Sequence, residues 1–433
     1  MEAVPSHFEG LKLYPHQEQA CRAILSNKNV LLVSPTGSGK SLCYLLPTKL
    51  TGRPTLVISP LIALMEDQIR NAQHFGFVAD AIHSGTSKFR QWSILARWLT
   101  GDQQIIVTSP ERLMDEKIRR HFTKLPPGLI VVDEAHCAVT WGQRFRPAYQ
   151  KLGGLITSLG RPPVLAMTAT ATPTLRASLI ESLGIGEVEG ISVPFLLPHM
   201  NIRAMRVDSS AVRVKLLCSL LADNRYLPMV VYCPTRRMSE ALTNYLCGRN
   251  VTARVYHAGQ KFQERRNAVQ KFRENPNSIL IATPAFEMGI DIPGIRTAVH
   301  FGLPTSLLSY VQGIGRAGRD KNGGKAILLY CESDLDRMDS LLSRGGTGDA
   351  PRDQLLSDAQ TLRDVFSFAA SPGCRLLYLN RYFFPDIQDH GEPCGRCDNC
   401  AHLARLHAAS LIAFPSRTVK SPKLPDQSLP VGN

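Results

Sequence analysis

The chain has 433 residues, 44% of them hydrophobic, and a formal net charge of +14 at pH 7; this length predicts two or three domains rather than one. Its apolar runs are too short to span a bilayer, and residues 1–10 lack the apolar core of a signal peptide, so we expect an intracellular protein without a membrane partner. The basic excess favours nucleic acid as a partner over a merely solvated surface, because binding ATP alone does not require it.

A helix is predicted over 15–26, directly before an apolar strand. Gln17 projects from the start of this helix, where its amide is suited to read the edge of a nucleotide base. A solvated glutamine on a helix surface is the simpler interpretation of this residue taken alone.

The stretch 29–46 has the order strand, loop, helix that a phosphate-binding loop needs. We predict that Lys40, at the start of an amphipathic helix, reaches the β and γ phosphates of ATP and that the Ser41 hydroxyl ligates Mg2+. The other residues predicted to bind ATP in this loop are Thr36, Gly37, Ser38 and Gly39. The strict motif begins with Gly where Ser34 stands here, and an ordinary glycine-rich turn is the alternative.

Short apolar strands alternate with helices through the first half of the chain, an order that predicts a parallel, doubly wound sheet. The strands are predicted at 55–58, 79–82, 105–108, 129–132 and 164–167. Ligands bind at the carboxyl edge of such sheets, in the loops that follow the strands. We therefore predict nucleic-acid backbone contacts from Ser59, Pro60, Thr108, Ser109 and Arg112.

Two adjacent carboxylates, Asp133 and Glu134, follow the strand at 129–132. Such a pair divides the work of phosphoryl transfer. We predict that Asp133 holds Mg2+ through water and that Glu134 orients and deprotonates the attacking water. A solvated acidic turn is the alternative, and the phosphate loop upstream in the same predicted sheet counts against it.

The segment after these carboxylates interleaves aromatic residues with arginines: Trp141, Arg144, Phe145 and Arg146. Rings that stack on bases and guanidinium groups that grip phosphates suit single-stranded nucleic acid. A loop of buried aromatic residues has the same composition, so the residues alone leave both interpretations open. The next strand leads into Thr168 and Thr170, whose hydroxyls are placed to link the nucleotide site to a neighbouring domain.

The periodic pattern breaks over 183–206, which we interpret as an interdomain connection. A second series of elements follows, with strands predicted at 229–232, 253–256 and 278–282, and it has no phosphate loop of its own. Arg316 and Arg319 lie three apart on a predicted helical turn and project to one side. We predict that they reach across a cleft to the γ-phosphate as arginine fingers. Helix capping or a surface ion pair is the alternative.

Four cysteines near the end of the chain have the spacing of metal ligands: Cys374, Cys394, Cys397 and Cys400. Four thiolates form the tetrahedral sulfur set that Zn2+ prefers, and a closed site of this kind predicts a structural metal. An iron–sulfur cluster is the alternative. The scattered cysteines elsewhere are typical core residues of a protein in a reducing compartment.

Together these features resemble the RecQ family of ATP-dependent DNA helicases, within superfamily two. The matching motifs run in order from about Leu11 to Cys400: PTGSGKSLCY, the Asp-Glu-Ala-His sequence, WGQRFRP, MTATAT, GIDIPGIR, QGIGRAGRD and CGRCDNC. The aromatic-rich loop directly after the Asp-Glu-Ala-His sequence and the four-cysteine module separate this family from DEAD-box RNA helicases.

The resemblance implies that Gln17 contacts adenine and that Asp291 and Gln312 belong to the ATP site. It also implies that Trp141, Phe145 and Arg146 couple DNA to hydrolysis, which favours the DNA interpretation of the aromatic loop. The remaining roles are the ones already given: Lys40 and Ser41 for the phosphates and Mg2+, Asp133 and Glu134 for the metal and water, Arg316 and Arg319 as fingers, and the four cysteines for Zn2+.

The chain departs from the family pattern at several positions. Tyr14, which we include in the ATP site, stands where the family usually has Arg, so base stacking there is expected to differ. Gln143 and Arg144 replace the usual His-Asp of the aromatic loop, which bears on its coupling role and adds a positive charge. Further departures are Glu287 for Gly, Gly313 for Glu, Lys321 for Gly, and Leu197, Pro198, His199 for an Arg-Pro-Asn sequence.

We predict two RecA-like α/β parallel-sheet domains in tandem, followed by a small helical zinc module. The predicted division is 1–205, 206–345, a zinc-binding domain at 346–408, and a disordered tail at 409–433. Residues 343–354 are predicted as the linker before the zinc module. Only 33 residues follow Cys400, too few for the winged-helix domain of longer members, so we expect the duplex-opening device to be absent or different.

The predicted function is an ATP-dependent DNA helicase that moves 3′ to 5′ on single-stranded DNA and separates duplex, in DNA repair or recombination. A DNA-stimulated ATPase that remodels or anneals strands, and a non-enzymatic nucleic-acid-binding scaffold, are the alternatives, and RNA is a weaker candidate substrate. The expected partners are single-stranded and partly duplex DNA, with a single-strand-binding protein or other repair proteins as further candidates. The expected cofactors are ATP, Mg2+ and Zn2+.

Overall fold

The computed structural model describes residues 12–35, 37–140, 146–195, 199–286, 292, 294–318, 322–336, 352–388 and 390–403, without the side chains of 262 and 352–358. Six predicted site residues lie outside this set: Thr36, Trp141, Arg144, Phe145, Asp291 and Arg319. The predicted tail at 409–433 and the predicted linker before residue 352 also lie outside it.

The first half of the described chain forms a seven-stranded parallel sheet with the order β3-β4-β2-β5-β6-β1-β7. Its strands are β1 (Asn29–Val33), β2 (Thr55–Ile58), β3 (Ala79–Ile82), β4 (Ile105–Thr108), β5 (Leu129–Val132), β6 (Val164–Thr168) and β7 (Val188–Ser192). Every residue of β2, β4 and β5 is buried, as expected for strands covered on both faces. The predicted doubly wound sheet is confirmed.

Nine helices of the described residues cover this sheet: α1 (Pro15–Leu25), α2 (Leu42–Thr51), α3 (Ile62–His74), α4 (Lys88–Thr100), α5 (Pro110–Leu113), α6 (Glu116–Lys124), α7 (Cys137–Thr140), α8 (Leu152–Ser158) and α9 (Pro173–Leu183). Successive residues of β1 alternate between two hydrophobic clusters, with Val30 and Leu32 in one and Leu31 and Val33 in the other. This two-residue period shows that helices pack on both faces of the sheet.

The second sheet has six parallel strands in the order β10-β11-β9-β12-β13-β8. The strands are β8 (Met200–Arg206), β9 (Met229–Tyr232), β10 (Ala253–Tyr256), β11 (Ile279–Ala282), β12 (Thr297–Phe301) and β13 (Gly324–Tyr330), and the helices are α10 (Ser210–Leu221), α11 (Arg236–Cys247), α12 (Phe262–Glu274) and α13 (Leu307–Ile314).

The chain crosses between the two sheets within 193–199. Val193 still donates its N–H to the carbonyl of Val33 in the first sheet at 2.8 Å, and the carbonyl of His199 already accepts from Gly324 in the second. The prediction of one irregular connection over 183–206 is therefore wrong, because β7 and β8 lie within it and pair in different sheets. We therefore propose that the boundary between the first and the second domain falls within 193–199 and not after residue 205.

The last described part consists of two helices, α14 (Arg352–Ala370) and α15 (Arg375–Phe383), followed by the cysteine-rich loop. Leu362, Val365 and Leu379 belong to the same hydrophobic cluster as Tyr310 of α13. The core is thus continuous from the second sheet into this helical module. No helix among the described residues has both the length and the apolar character needed to cross a membrane.

Candidate nucleotide site, sheet edge and cysteine cluster

The loop between β1 and α2 has the conformation of a phosphate-binding loop. Gly37 and Gly39 adopt φ angles of 80° and 75°, which side-chain-bearing residues rarely adopt. The ammonium group of Lys40 folds back over the loop and donates to the carbonyls of Ser34 and Pro35 at 2.9 and 3.0 Å. The helix begins at Leu42 rather than at Lys40, and six of its ten residues are buried, so the predicted amphipathic helix is instead a core helix.

Gln17 braces this loop from outside. Its Nε2 donates to the carbonyls of Ser38 and Gly39 at 3.2 and 3.1 Å, and its Oε1 accepts from the N–H of Tyr14 at 2.9 Å. The side chain is 1% exposed. Both ends of the amide are therefore occupied by backbone groups, and the predicted contact with adenine stays a prediction. Tyr14, which is 61% exposed, stacks on the ring of His16 at 5.7 Å between centroids.

Gln68 of α3, which the sequence analysis did not single out, joins the end of the phosphate loop to the acidic pair. Its Nε2 donates to Oδ2 of Asp133 at 2.9 Å, while its Oε1 accepts from the hydroxyl of Tyr44 at 2.5 Å. The hydroxyl of Ser41 lies 3.5 Å from the same Oε1. The two predicted Mg2+ ligands, Ser41 and Asp133, are thus held on either side of one amide.

The acidic pair sits at the carboxyl end of β5 in an unusual backbone conformation. Glu134 has a φ of +45°, in the left-handed region that non-glycine residues seldom occupy, and such strain is concentrated at functional sites. Among the described residues, Oε2 of Glu134 is a buried oxygen without a hydrogen-bond partner. Burial and the neighbouring Glu134 raise the pKa of Asp133, against the lowering effects of Lys40 and Gln68.

His136 connects this acidic turn to the second domain. Burial lowers its pKa to about 4, so the imidazole is neutral near pH 7 and one ring nitrogen accepts. Its Nε2 lies 3.1 Å from Nε2 of Gln312 in α13, and its Nδ1 lies 3.0 Å from the hydroxyl of Thr168. We assign the proton to Nδ1, because the Gln312 atom that faces Nε2 is the amide nitrogen, which can only donate. Thr168 in turn donates to the carbonyl of Thr170 at 3.1 Å. The hydroxyl of Thr170 has no hydrogen-bond partner among the described residues, so its predicted linking role stays a prediction.

Of the two predicted arginine fingers, Arg316 is described and Arg319 is not. Arg316 lies two residues after the end of α13 and four residues after Gln312, and it is 7% exposed. The helix that contacts His136 therefore leads straight into Arg316.

Several predicted DNA contacts at the carboxyl edge of the first sheet are buried. Ser59 and Thr108 are 0% exposed, Pro60 is also buried, and the Thr108 hydroxyl donates to the carbonyl of Ile82 at 2.8 Å. These three side chains pack the sheet edge and are not exposed for DNA contact, contrary to the prediction. Arg112 is half-buried and donates to the carbonyl of His83 at 3.2 Å.

Arg146 is tied to the same edge from the far end of the aromatic segment. It donates through Nη1 to the carbonyl of Pro60, and its Nε forms an ion pair with Glu111 at 2.9 Å. Its guanidinium also lies over the ring of Tyr149, which is fully buried. The structure thus gives Arg146 an anchoring position between the segment after the acidic pair and the loop after β2.

The four predicted zinc ligands converge. The sulfur atoms of Cys374, Cys394, Cys397 and Cys400 all lie within 4.8 Å of one another. Backbone N–H groups point at three of these sulfurs: Cys394 N at Cys374 Sγ (3.2 Å), Cys397 N at Cys394 Sγ (3.4 Å) and Cys400 N at Cys397 Sγ (3.4 Å). Four convergent thiols with N–H groups directed at sulfur fit a tetrahedral Zn2+ site.

Arg375, which sequence reasoning missed, supports this cluster. It is 4% exposed and forms an ion pair with Asp398 at 2.9 Å. Its Nη1 also donates to the carbonyls of Phe368, Ala369 and Ser371. Its position directly after Cys374 and that of Asp398 directly after Cys397 were the available signals, since groups around ligands orient them.

Comparison with protein families matches three models in chain order. They are DEAD/DEAH box helicase over residues 14–178, helicase conserved C-terminal domain over 212–321 and RecQ zinc-binding over 332–401. The last match contains all four converging cysteines.

Individual relatives agree with these matches. The chain is 35% identical over 329 residues to an ATP-dependent DNA helicase RecQ of Synechocystis sp., covering 74% of this chain and 68% of the relative. It is 33% identical over 384 residues to an ATP-dependent DNA helicase RecQ of Pasteurella multocida, covering 89% of this chain and 59% of that relative. The chain thus spans about 60% of the length of such curated relatives.

Solved structures share the fold at lower identity. The helicase MrfA bound to DNA matches with a TM-score of 0.61 at 20% identity, covering 90% of this chain and 60% of MrfA. Dbp5 of S. cerevisiae bound to RNA and ADP BeF3 matches with a TM-score of 0.58 at 18% identity, covering 83% of this chain and 99% of the Dbp5 chain. Both are similar to this chain in fold.

Proposed function

The chain belongs to the RecQ family, and from that premise we propose that it is an ATP-dependent DNA helicase that moves along single-stranded DNA and separates duplex. The proposal extends to 3′ to 5′ movement in DNA repair or recombination. The names of the Synechocystis and Pasteurella relatives support the substrate and the energy source. The net charge of +14 supports a nucleic-acid partner.

The observation that carries the proposal is the contact between His136 and Gln312 at 3.1 Å. It joins the acidic turn beside the phosphate loop to a helix of the other domain. A movement of the acidic turn therefore alters the position of that helix, and the reverse. An ATPase whose two domains must close for hydrolysis needs such a contact, whereas a scaffold that only binds nucleic acid does not.

In the proposed reaction, Lys40 neutralises the β and γ phosphates and the loop N–H groups hold them. Glu134, whose buried Oε2 has no hydrogen-bond partner among the described residues and lies 3.4 Å from Nδ1 of His136, accepts a proton from the attacking water. Closure of the domains brings Arg316, and Arg319 by the family pattern, to the γ-phosphate. Release of phosphate reopens the domains and moves them along the strand.

The residues around Asp133 fit a divalent cation. Its carboxylate is buried and its pKa is raised, because the ionised form is poorly solvated there. A bound cation would stabilise that ionised form. Asp133 and Ser41 would hold Mg2+, which supplies charge neutralisation at the phosphates. Gln68 orients both groups before the metal arrives.

The four cysteines would hold Zn2+ in a closed structural site. Because sulfur would occupy all four coordination positions, the metal would cross-link the module and would take no part in the reaction. The match to the RecQ zinc-binding model supports this assignment over an iron–sulfur cluster.

The proposal is tested by ATP hydrolysis with and without single-stranded DNA and by strand displacement from partly duplex DNA. We expect DNA to stimulate the ATPase of the wild type, and Glu134→Gln to lower kcat by at least about 100-fold because the general base is lost. RNA in place of DNA serves as the matched ligand control.

Strong DNA-stimulated hydrolysis without strand displacement would favour the alternative of a remodelling or annealing ATPase. No hydrolysis by the wild type, with DNA binding retained, would favour the non-enzymatic scaffold. Equal stimulation by RNA and DNA would contradict the proposed substrate.

A further inference from the structure

The helical module contacts the chain at Phe195, in the segment that passes from the first sheet to the second. Phe195 lies between Val193, whose N–H bonds to Val33 in the first sheet, and His199, whose carbonyl accepts from Gly324 in the second. Its side chain is 1% exposed.

The side-chain amide of Asn380, in α15, holds the backbone of Phe195 at both polar groups. Its Oδ1 accepts from the N–H of Phe195 at 2.8 Å and its Nδ2 donates to the carbonyl at 3.1 Å. Asn380 is 2% exposed. A buried amide that satisfies both groups of one residue fixes the position of that residue, because breaking the pair leaves four buried groups unpaired.

Two aromatic rings hold the side chain of the same residue. Phe383 and Phe384 meet the Phe195 ring edge-on, with centroids 5.7 and 5.4 Å away. All three rings are at most 2% exposed. The crossing is therefore held by its backbone and its side chain together.

The module also reaches both sheets on either side of the crossing. Arg176 of α9 donates to the carbonyl of Phe383 at 2.6 Å and lies over the ring of Phe384. On the other side, the Ala204 N–H of β8 donates to Asp398 at 2.8 Å and Asn201 donates to the Arg396 carbonyl at 2.9 Å. The module thus contacts both domains, through the end of α15 on one side and the cysteine-rich loop on the other, and α15 carries Asn380 to the crossing.

We propose that Asn380 is a positioning residue that anchors the interdomain crossing at Phe195 and thereby sets the domain arrangement in which ATP is hydrolysed. This inference rests on the proposed ATP-driven function. Asn380 touches no predicted nucleotide or DNA contact among the described residues; it acts on kcat by keeping the second domain, with Gln312 and Arg316, in register with the acidic pair.

The test compares Asn380→Ala with wild type in the full, zinc-loaded chain. We expect kcat of the DNA-stimulated ATPase to fall about tenfold, the rate equivalent of losing two hydrogen bonds, with KM for ATP unchanged because the phosphate loop is untouched. Gln103→Ala is the matched control, since it removes a buried side-chain amide that donates to the backbone carbonyls of Val78 and Ile105 at the far edge of the first sheet, away from the crossing; it should keep the wild-type kcat.

Domain separation gives a second readout that a merely structural role would not move. Dyes are attached through encoded azide side chains at exposed Ser93 in α4 and exposed Ala241 in α11, because the chain contains eleven cysteines. We expect Asn380→Ala to broaden the distance distribution and to reduce by at least half its shift on addition of a non-hydrolysable ATP analogue. Melting temperature and zinc content are measured on the same samples.

Wild-type kcat and an unchanged distance distribution in Asn380→Ala would overturn the inference. If Asn380→Ala does not fold, Asn380→Asp is measured by the same criteria, since it keeps the acceptor for the Phe195 N–H and loses the donor to the carbonyl. A wild type that neither hydrolyses ATP nor changes dye distance with the analogue would reject the proposed function itself, an outcome distinct from a variant that matches an active wild type.

Discussion

Nε2 of Gln68 lies 2.9 Å from Oδ2 of Asp133, although the two residues are 65 positions apart in the chain. The contact places a neutral donor against a buried carboxylate whose pKa is raised by burial and by Glu134. Gln68 opposes that rise, and so keeps Asp133 available as an ionised group for a cation.

Replacing Gln68 with Ala is expected to weaken Mg2+ binding about tenfold, because a hydrogen bond to a charged group contributes about 1.5–3 kcal/mol. Asp133 is ionised above its raised pKa, so Mg2+ affinity is expected to fall as the pH falls through that pKa. Gln68→Ala raises the pKa further and moves this loss to higher pH. Titration of ATPase activity with Mg2+ at several pH values measures both effects.

Gln73→Ala is the control, since Gln73 lies on the same helix and its amide donates to the carbonyl of Ala79. Equal Mg2+ dependence in Gln68→Ala and wild type would contradict the prediction.

Gly39→Ala is expected to abolish tight ATP binding. A Cβ at this position would lie 2.4 Å from Nε2 of Gln17, and the φ of +75° adds about 1–2 kcal/mol of strain for any L-residue. Calorimetric titration with ATP measures the loss. Gly52→Ala separates the two causes, because Gly52 has a φ of +63° with nothing within 4 Å of the added carbon.

The double variant Gln17→Ala/Gly39→Ala removes the clash and keeps the strain, and it is compared with Gln17→Ala because Gln17 itself holds the loop. Gly39→Ala is expected to lower ATP affinity less in the Gln17→Ala background than in the wild type, and an equal loss in both would show that the contact with Gln17 is not what limits binding.

His300 is expected to make the fold acid-sensitive. Burial lowers its pKa to about 3, and among the described residues neither ring nitrogen has a hydrogen-bond partner. The stability contributed by neutral His300 is fully present above the ordinary pKa of about 6.5 and is lost as the pH falls from there toward 3. By pH 5 this loss lowers the free energy of unfolding by about 2 kcal/mol. His136 acts in the same direction, with its pKa lowered to about 4.

Urea unfolding between pH 7.5 and 5 measures the slope of the unfolding free energy against pH. His300→Phe keeps a ring between Tyr232 and Tyr310 and should flatten the slope without removing the part due to His136. Substituting the exposed His74 in the same way should leave the slope unchanged; identical slopes in wild type and His300→Phe would refute the assignment.

Arg375→Met is expected to destabilise the chain by about 3 kcal/mol, because it leaves Asp398 and three backbone carbonyls without their buried donor. Zinc should also be released faster to a colorimetric chelator. Arg206→Met breaks an exposed pair with Glu332 and is expected to cost at most about 0.5 kcal/mol. Unfolding free energies that are equal for the two variants would argue against a supporting role for Arg375.

Local patterns in the sequence were sufficient for much of the fold. The strands at 55–58, 79–82, 105–108 and 129–132 have the predicted bounds, because short apolar runs between turn residues leave few other structures. The convergence of the four cysteines is also confirmed, since their spacing matches the geometry of one metal. The family was recognisable because each motif carries its own chemistry in consecutive residues.

Burial of polar side chains was not predictable in the same way. Ser59 and Thr108 follow strands at the ligand-binding edge, yet both are fully buried. Whether a residue at a strand end faces solvent or the next loop depends on elements distant in the sequence. The strands β7 and β8 were missed because a glycine and several polar residues interrupt their apolar pattern, and pairing with β1 and β13 overrides that weak local preference.

The sequence by itself determined most of the alternating strands and helices of the first domain, the phosphate loop, the acidic pair and the metal-ligand set, because each depends on interactions between near neighbours in the chain. Only the tertiary structure decided that Gln68 serves Asp133, that His136 meets Gln312 across 176 residues, and that Asn380 holds Phe195 across 185. Nothing in the spacing of these residues along the sequence indicates that they pair. They form because the packing of two sheets and a helical module brings buried polar groups together, and each such group must find a partner once water is excluded.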